Sequence, residues 1–433
     1  MLTSKSIHTF HIPVMGLAYT IDSPIRVAHY GISSVISIID DELMEKMNSY
    51  YSKKFSLPYK EISKKVQDYR AERITSYLNL VDSIVKKKFT EFKTELLESK
   101  LALENFLATL PNTSSIKEGL SNLMNERTGY KESLENFLEM YLKVGDIDVN
   151  IMTKVDKDNF TKNEQLPIEF NDAHASLRGF ANSNLNSSVV LSAGMNPRLY
   201  SYFANFKDFF PDKNNQLKKR IILKVSDYRS AIIQGKFLAK KGLWVSEYRI
   251  ESGLNCGGHA FATDGILLGP ILEEFKIKKA GLLQDTHDVF VKGLTQKGLT
   301  APEQPLDLKL TVQGGVGTAD EHKFLLENYL VDSVGWGSPF LLVPEATSVD
   351  TNTRTLLANA IEKDFYLSNI SPLGIPFNTI KGTTNEYHKQ KRIENNKAGS
   401  SCPKKYLALS KELGPEGICT ASKKYQDIKL QEL

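Results

Sequence analysis

Short β-branched runs separated by single helix lengths fill residues 185–341, and this alternation most limits the folds open to the chain. SSVVLSAG (187–194), KKRIILKVSD (218–227), LWVSEYRI (243–250), LDLKLTVQGG (306–315) and VDSVGWGSPFL (331–341) read as strands. YRSAIIQGKFLAKKG, closed by Gly242, and ADEHKFLLENYL read as helices between them. The same texture occurs at 8–40. There the apolar segment HIPVMG precedes a helix start at Ser23-Pro24 and a run of Val35, Ile36, Ile38 and Ile39 bounded by Gly31 and Asp40. Strand, helix, strand order implies parallel strands joined by crossover helices. Two N-terminal strands and five later ones fit an α/β chain closed into an eight-stranded TIM (β/α)8 barrel, with an open doubly wound sheet as the alternative.

Residues 41–145 interrupt that texture. They are rich in Lys, Glu and Leu, and apolar residues recur at helical spacing: Val85, Phe89, Phe92 and Leu96 form one stripe, Ile62, Val66 and Tyr69 another. Several amphipathic helices joined near Pro58 and Pro111 are expected, as an insertion packed on the barrel; a lid or a dimerisation arm is the alternative. From residue 371 the text becomes a tail, opening with SPLGIPFNTIKG and carrying a basic run, HKQKRIENNK. The chain thus divides into first barrel strands at 1–40, a helical insertion at 41–145, a barrel at 146–380 and a C-terminal extension at 381–433.

Composition narrows the function classes. With 433 residues, 41% hydrophobic and 24% charged, the chain is of globular type, and barrels with insertions reach this length. No run approaches the ~20 apolar residues of a membrane helix, and MLTSKSIHTFHIPVMG lacks the layout of a secretion signal. A net charge of +4 from 55 basic and 51 acidic residues gives no electrostatic argument for nucleic acid. Three cysteines, Cys256, Cys402 and Cys419, fit a reducing compartment. A cytoplasmic protein acting on a small molecule, without membrane or nucleic-acid partner, is the expectation, and a homo-oligomer is compatible with it.

Two glycine clusters carry the strongest chemical signal: QGGVGT at 313–318 and VGWGSPF at 334–340. Barrels often bind phosphate in the loops after strands seven and eight. Gly315 and Gly317 would let the backbone approach a phosphate, and Thr318 stands where a helix N-cap belongs. Its hydroxyl and the free N–H groups of that helix would form an anion site. Gly335 and Gly337 would supply the second wall. Glycines that merely make tight turns are the competing reading, and two clusters at successive strand ends argue against it.

A second segment, ESGLNCGGHAFATDG at 251–265, follows a strand. Gly257 and Gly258 strip side chains from the backbone before His259, so that a flat ring could lie close while the imidazole takes or gives a proton.

The order and text of these segments resemble the nitronate monooxygenase (2-nitropropane dioxygenase-like) family, which includes FMN-dependent enoyl-acyl-carrier-protein reductases. NCGGH at 255–259 resembles that family's E-A-G-G-H, and GGVGT at 314–318 its G-G-I segment. VDSVGWGSPF at 331–340 resembles A-D-G-V-x-x-G-T-x-F, and SPLGIP at 371–376 resembles S-P-V-G-x-P. The resemblance spans 8–40 and about 185–380, and leaves out 41–145. It implies an FMN-dependent barrel oxidoreductase whose flavin accepts hydride or electrons and passes them to an organic acceptor or dioxygen, with NAD(P)H as a donor in the reductase variant. Gly314, Gly315, Gly335, Gly337 and Ser338 would contact the phosphate, Gly257 and Gly258 would border the flavin, and Met15 and Gly16 would lie near its ring. His259 would be the proton acceptor or donor, and Lys224 a partner for the edge of the flavin that becomes anionic on reduction. The chain departs from the family text at HIPVMG, which lacks a glutamine and a second proline, at Cys256 in place of alanine, and at Ser338 in place of threonine. A phosphate-binding barrel without redox chemistry, an aldolase, isomerase or sensor, is the rival reading.

The remaining candidates are weaker. Cys256, Cys402 and Cys419 lack the tight spacing of metal sites, so unligated thiols are expected rather than an iron–sulfur cluster. His8, His11, His29, His174, His287, His322 and His388 show no metal-ligand spacing. Asp22, Asn196 and Arg198 read as caps or pocket residues.

Overall fold

Eight runs of alternating inward and outward residues pair edge to edge in the computed structural model until the last meets the first. The structure describes residues 7–15, 20–38, 40–111, 114–125, 130–151, 156, 158–161, 164–191, 195–251, 267–368, 377–400, 408, 410–415 and 417–433. In chain order the strands are β1 (Phe10–Ile12), β2 (Ser33–Ile38), β3 (Ile147–Ile151), β4 (Ser187–Leu191), β5 (Lys219–Val225), β6 (Val245–Ile250), β7 (Lys309–Gln313) and β8 (Ser333–Gly335). Every neighbouring pair is parallel, and β8 closes on β1 with His11 opposite Gly335. The expected closed barrel is the arrangement found, and the open sheet is excluded. The sequence reading lacked β3.

The ring outside the strands is α1 (Ser23–Val27), α2 (Asp41–Lys54), α3 (Tyr69–Glu98), then, beyond α4 (Lys100–Thr109), α5 (Ser115–Met124) and α6 (Tyr130–Tyr141), the helices α7 (Asp172–Asn182), α8 (Pro197–Tyr202), α9 (Tyr228–Ala239), α10 (Leu268–Gln296), α11 (Ala319–Asn328) and α12 (Thr351–Asn359). Helix starts follow local chemistry. Asp40 accepts from the Leu43 amide at 2.8 Å, Asp227 from Ser230 at 2.6 Å and Asn196 from Leu199 at 3.1 Å, each satisfying a donor the first turn leaves open.

The helical stretch 41–145 does two different jobs. The first part of α3 is a ring helix: Ile74, Tyr77, Leu78, Val81, Ile84 and Val85 belong to the main core with Ile36, Val149 and Leu177. It packs so closely on α7 that a Cβ at Gly179 would come within 2.8 Å of Ile74. The second part is a satellite. Leu96 gathers Leu103, Phe106, Leu107, Leu120, Leu134 and Leu138 into a separate core with Ile7 and Leu142. Ile7 lies just before β1 and Leu142 just before β3, so this core sits at the N-terminal end of the barrel, away from the strand C-termini. A lid made of α4–α6 is therefore ruled out.

The stripe Ile62, Val66, Tyr69 is not helical; α3 begins at Tyr69. The connector ahead of it is held instead by Arg73, which donates to the Ile62 carbonyl at 2.9 Å and to Asp41 at 2.9 Å. After α12 the chain forms a hairpin of Phe365–Ser368 with Phe377–Ile380 and then α13 (Thr384–Glu394) and α14 (Lys423–Glu432), which have no buried residue. Among the described residues no helix is long and apolar enough to cross a membrane.

Candidate site at the mouth of the barrel

Strand residues alternate sides, and on β3 and β7 the outward set is apolar while the inward set is polar. Ile147, Val149 and Ile151 face the ring helices, as do Ile221, Leu223 and Val225, and Leu310 and Val312. That turns Asp148, Asn150, Lys224, Thr311 and Gln313 toward the barrel axis. Branched apolar residues fill most such barrels; this one holds charge. Arg249 donates from Nε to Glu247 at 2.8 Å, its Nη2 lies 3.5 Å from Asp148, and Thr311 donates to Glu247 at 2.5 Å. Burial alone would depress the Arg249 guanidinium, but Glu247 and Asp148 hold it above its usual value. Burial pushes the Asp148 carboxyl up to about 7, with Asp146 adding and Arg249 opposing.

Above this layer, at the C-terminal strand ends where barrel sites sit, lies a second polar group. Gln313 donates from Nε2 to Glu251 Oε2 at 2.6 Å, and the Lys224 ammonium lies 3.5 Å from Glu251 Oε1. Across the mouth, Asn150 donates from Nδ2 to Ser37 Oγ at 3.2 Å. Gln313 Oε1, Asn150 Oδ1 and His11 Nε2 are buried and have no partner among the described residues. His11 Nδ1 bonds Ser333 Oγ at 3.0 Å, and burial, Arg249 and Lys309 hold the imidazole well below its usual range, so it is neutral.

The two glycine turns meet at this mouth. Gln313 is in register with Gly335 on the neighbouring strand, so Gly314 and Gly337 leave the same end of the barrel side by side. Gly314 (φ 87°) and Gly315 (φ 75°) are both left-handed, a conformation that a side chain resists. Among the described residues, no acceptor takes the amides of Gly315, Val316, Gly337 or Ser338. Met15, after β1, lies beside Gly337: a Cβ on that glycine would sit 3.7 Å from Met15 Cγ, an ordinary contact.

Two expectations change in detail. Gly335 lies within β8, and its missing side chain is accounted for by packing, since a Cβ there would meet Gln313 Cβ at 2.7 Å and His11 Nε2 at 3.0 Å. Thr318 is the N-cap of α11, as expected, but the helix start is not an open anion site. Glu321 accepts from the Gly317 and Thr318 amides at 2.8 and 3.0 Å, Thr318 Oγ1 accepts from the Glu321 amide at 3.2 Å, and these bonds hold the Glu321 carboxyl below its usual range. The α11 N-terminus already has its anion.

Trp336, between the turns, is fixed by its indole N–H donating to His322 Nδ1 at 2.9 Å. An indole only donates, so His322 carries its proton on Nε2 and gives it to Thr9 Oγ1 at 3.0 Å. Gly16, Cys256, Gly257, Gly258, His259 and Cys402 lie outside the described residues, as do 371–376. Cys419 is a buried free thiol, and among the described residues no cluster of His, Cys, Asp and Glu is placed to hold a metal. Glu251, Gln313 and Asn150 were not singled out from the sequence, although the first two stand at the edges of the two chemical motifs.

Comparison with solved structures finds remote likenesses. FabK of Thermotoga maritima matches over 98% of this chain and 87% of its own, at 10% identity and a TM-score of 0.39. The enoyl reductase domain of MlnA, from the macrolactin biosynthesis cluster of Bacillus amyloliquefaciens, matches over 70% of this chain and 64% of its own, at 15% identity and a TM-score of 0.35. Both likenesses are remote, and the barrel rests on its own strand pairing. No family model matches the chain, and no curated protein does.

Proposed function

We propose that the chain is an FMN-dependent oxidoreductase of the nitronate monooxygenase and enoyl reductase type, acting on a small organic substrate. The observation that carries this reading is the pairing, at one barrel mouth, of a main-chain cradle with a polar floor whose amide oxygens have no donor partner among the described residues. The cradle is made of the Gly315, Val316, Gly337 and Ser338 amides, which suit a phosphate dianion. The floor presents two buried amide oxygens, Gln313 Oε1 and Asn150 Oδ1, and the Lys224 ammonium. Buried polar atoms require partners, and a ring edge with one N–H donor between carbonyl acceptors would give that donor to Gln313 Oε1 and a carbonyl to the Lys224 ammonium. The isoalloxazine of FMN has that edge and is joined to a phosphate.

When bound, the flavin would supply two-electron redox chemistry. This chain's residues would bind and orient it. Lys224 would face the edge that gains negative charge, the 315–316 and 337–338 amides would hold the phosphate, and Met15 would pack near the ring. His259 is proposed from the sequence resemblance to hold or move a proton at the substrate carbon. NAD(P)H is the proposed electron donor if the protein is a reductase.

The test is direct. Purified protein, as isolated or after incubation with FMN, should show the two visible absorbance bands of a bound flavin, and NADH or NADPH should bleach them if the reductase reading holds. His259→Ala should keep the flavin and lose turnover. A colourless protein that takes up no FMN but binds phosphorylated sugars would support the non-redox barrel instead.

A further inference from the structure

One carboxylate at the mouth is shared by two functional side chains. Glu251 Oε2 accepts from Gln313 Nε2 at 2.6 Å, and Glu251 Oε1 faces Lys224 Nζ at 3.5 Å. Glu251 is itself buried. An ionised carboxylate only accepts, whereas a glutamine amide has a donating and an accepting end of nearly the same shape. The contact therefore decides which end of Gln313 points where: nitrogen toward Glu251, oxygen away from it. That oxygen is the buried atom left without a partner. With any neighbour that both donates and accepts, the amide could turn over and present N–H groups, which would face the N–H of the ring edge and repel it.

We propose that Glu251 is a positioning residue that selects the ligand's donor edge by locking the Gln313 amide oxygen toward the mouth. The inference rests on the flavin reading and adds what reads the flavin's imide N–H. Three elements meet in it: β5 supplies Lys224, the end of β6 supplies Glu251, and β7 supplies Gln313 immediately before the left-handed Gly314. Ring recognition and phosphate cradle are thus tied through adjacent residues of one turn.

The test compares FMN with N3-methyl-FMN, which lacks the imide N–H, by titrating apoprotein and following flavin fluorescence. A buried hydrogen bond lost with its acceptor left unpaired corresponds to roughly tenfold or more in affinity. Wild type should prefer FMN by about that factor. Glu251→Gln should reduce the preference to about twofold or less, and Glu251→Asp should restore part of it. Gln313→Leu should abolish the preference, and adding Glu251→Gln to it should change nothing further, as expected when one residue acts through the other. A merely structural role for Glu251 would weaken both ligands equally and leave the ratio intact, which would overturn the proposal. So would a wild-type ratio near one, or, if Glu251→Gln does not fold, a Gln313→Leu protein that keeps the wild-type ratio. Wild type that binds neither flavin would instead remove the FMN reading itself.

Discussion

The His11 imidazole closes over the α-carbon of Gly335, so that a methyl group there would lie 3.0 Å from Nε2 and 2.7 Å from Gln313 Cβ. Gly337, two residues on, has no such neighbour, its nearest contacts being Met15 and Pro13 at 3.7 and 3.8 Å, and its φ of −102° suits any residue. The two glycines should therefore fail differently. Gly335→Ala should destabilise the fold by about 1–3 kcal/mol, because the Gln313 backbone side of the contact is not a flexible tip. Gly337→Ala should leave the melting temperature unchanged and weaken FMN, since the methyl group would intrude only on a bound phosphate. Thermal melts paired with FMN titrations separate the outcomes. Equal melting temperatures for the two variants would refute the packing account of Gly335.

Glu321 sits on the Gly317 and Thr318 amides and brings a negative charge next to the proposed phosphate cradle. Replacing it with alanine should free two donors and remove repulsion. The affinity ratio of FMN over riboflavin, which isolates the phosphate, should rise in Glu321→Ala, because the removed carboxylate no longer competes for the helix N-terminus. The helix end should fray in exchange. The sign of the pH effect is fixed by the direction of the shift. Because the folded carboxyl is held below its unfolded value, its contribution is present above the unfolded pKa and fades as pH falls through the folded one. An unchanged ratio would place the phosphate elsewhere.

The sequence made the barrel legible where a strand carried adjacent apolar residues or ran into a glycine turn, whatever its inward residues were. β3 escaped because its inward residues are Asp148 and Asn150, so IDVNI lacks the hydrophobic run that marked the other strands. Those polar residues are stable inside only because Arg249, distant in sequence, lies 3.5 Å from Asp148 and Ser37 accepts from Asn150. Nothing local announces either partner. The same reason hid Glu251 and Gln313. An acid and an amide at strand ends look like ordinary turn residues until the closure of the sheet brings them together. Conversely, the stripe Val85, Phe89, Phe92, Leu96 was correctly helical, but spacing could not say that Val85 packs on the barrel and Leu96 on the satellite core.

The satellite core makes its own prediction. Leu120 is fully buried among Leu103, Leu134 and Leu138, at the barrel end remote from the mouth. Leu120→Asp would bury an unpaired carboxylate there, at a cost of several kcal/mol. Limited proteolysis should then cut within α4–α6, while FMN affinity stays within about twofold of wild type. Tyr77→Ala, in the part of α3 that faces the strands, should lower stability and flavin binding together; large-to-small changes of this kind cost about 3–5 kcal/mol. Loss of FMN binding in Leu120→Asp would mean that the satellite supports the mouth after all.

Lys219, at the start of β5, is fully buried, donates at 3.0 Å to both the carbonyl and hydroxyl of Ser183, and lies 4.4 Å from the centre of the Phe180 ring. Burial, with help from Lys218, lowers its ammonium to about 7. In the unfolded chain a lysine titrates near ~10.4. Between those values the unfolded state binds the proton that the folded state has released, so stability rises with pH across that window and levels off below about 7. The slope for one proton is at most about 1.4 kcal/mol per pH unit. Lys219→Met keeps the aliphatic volume and removes the titration. Denaturant melts of the two proteins from neutral to alkaline pH should therefore diverge, with the wild type gaining on the variant as pH rises. Parallel stability profiles across that range would show that the Ser183 and Phe180 contacts keep Lys219 charged, and that its burial carries no pH dependence.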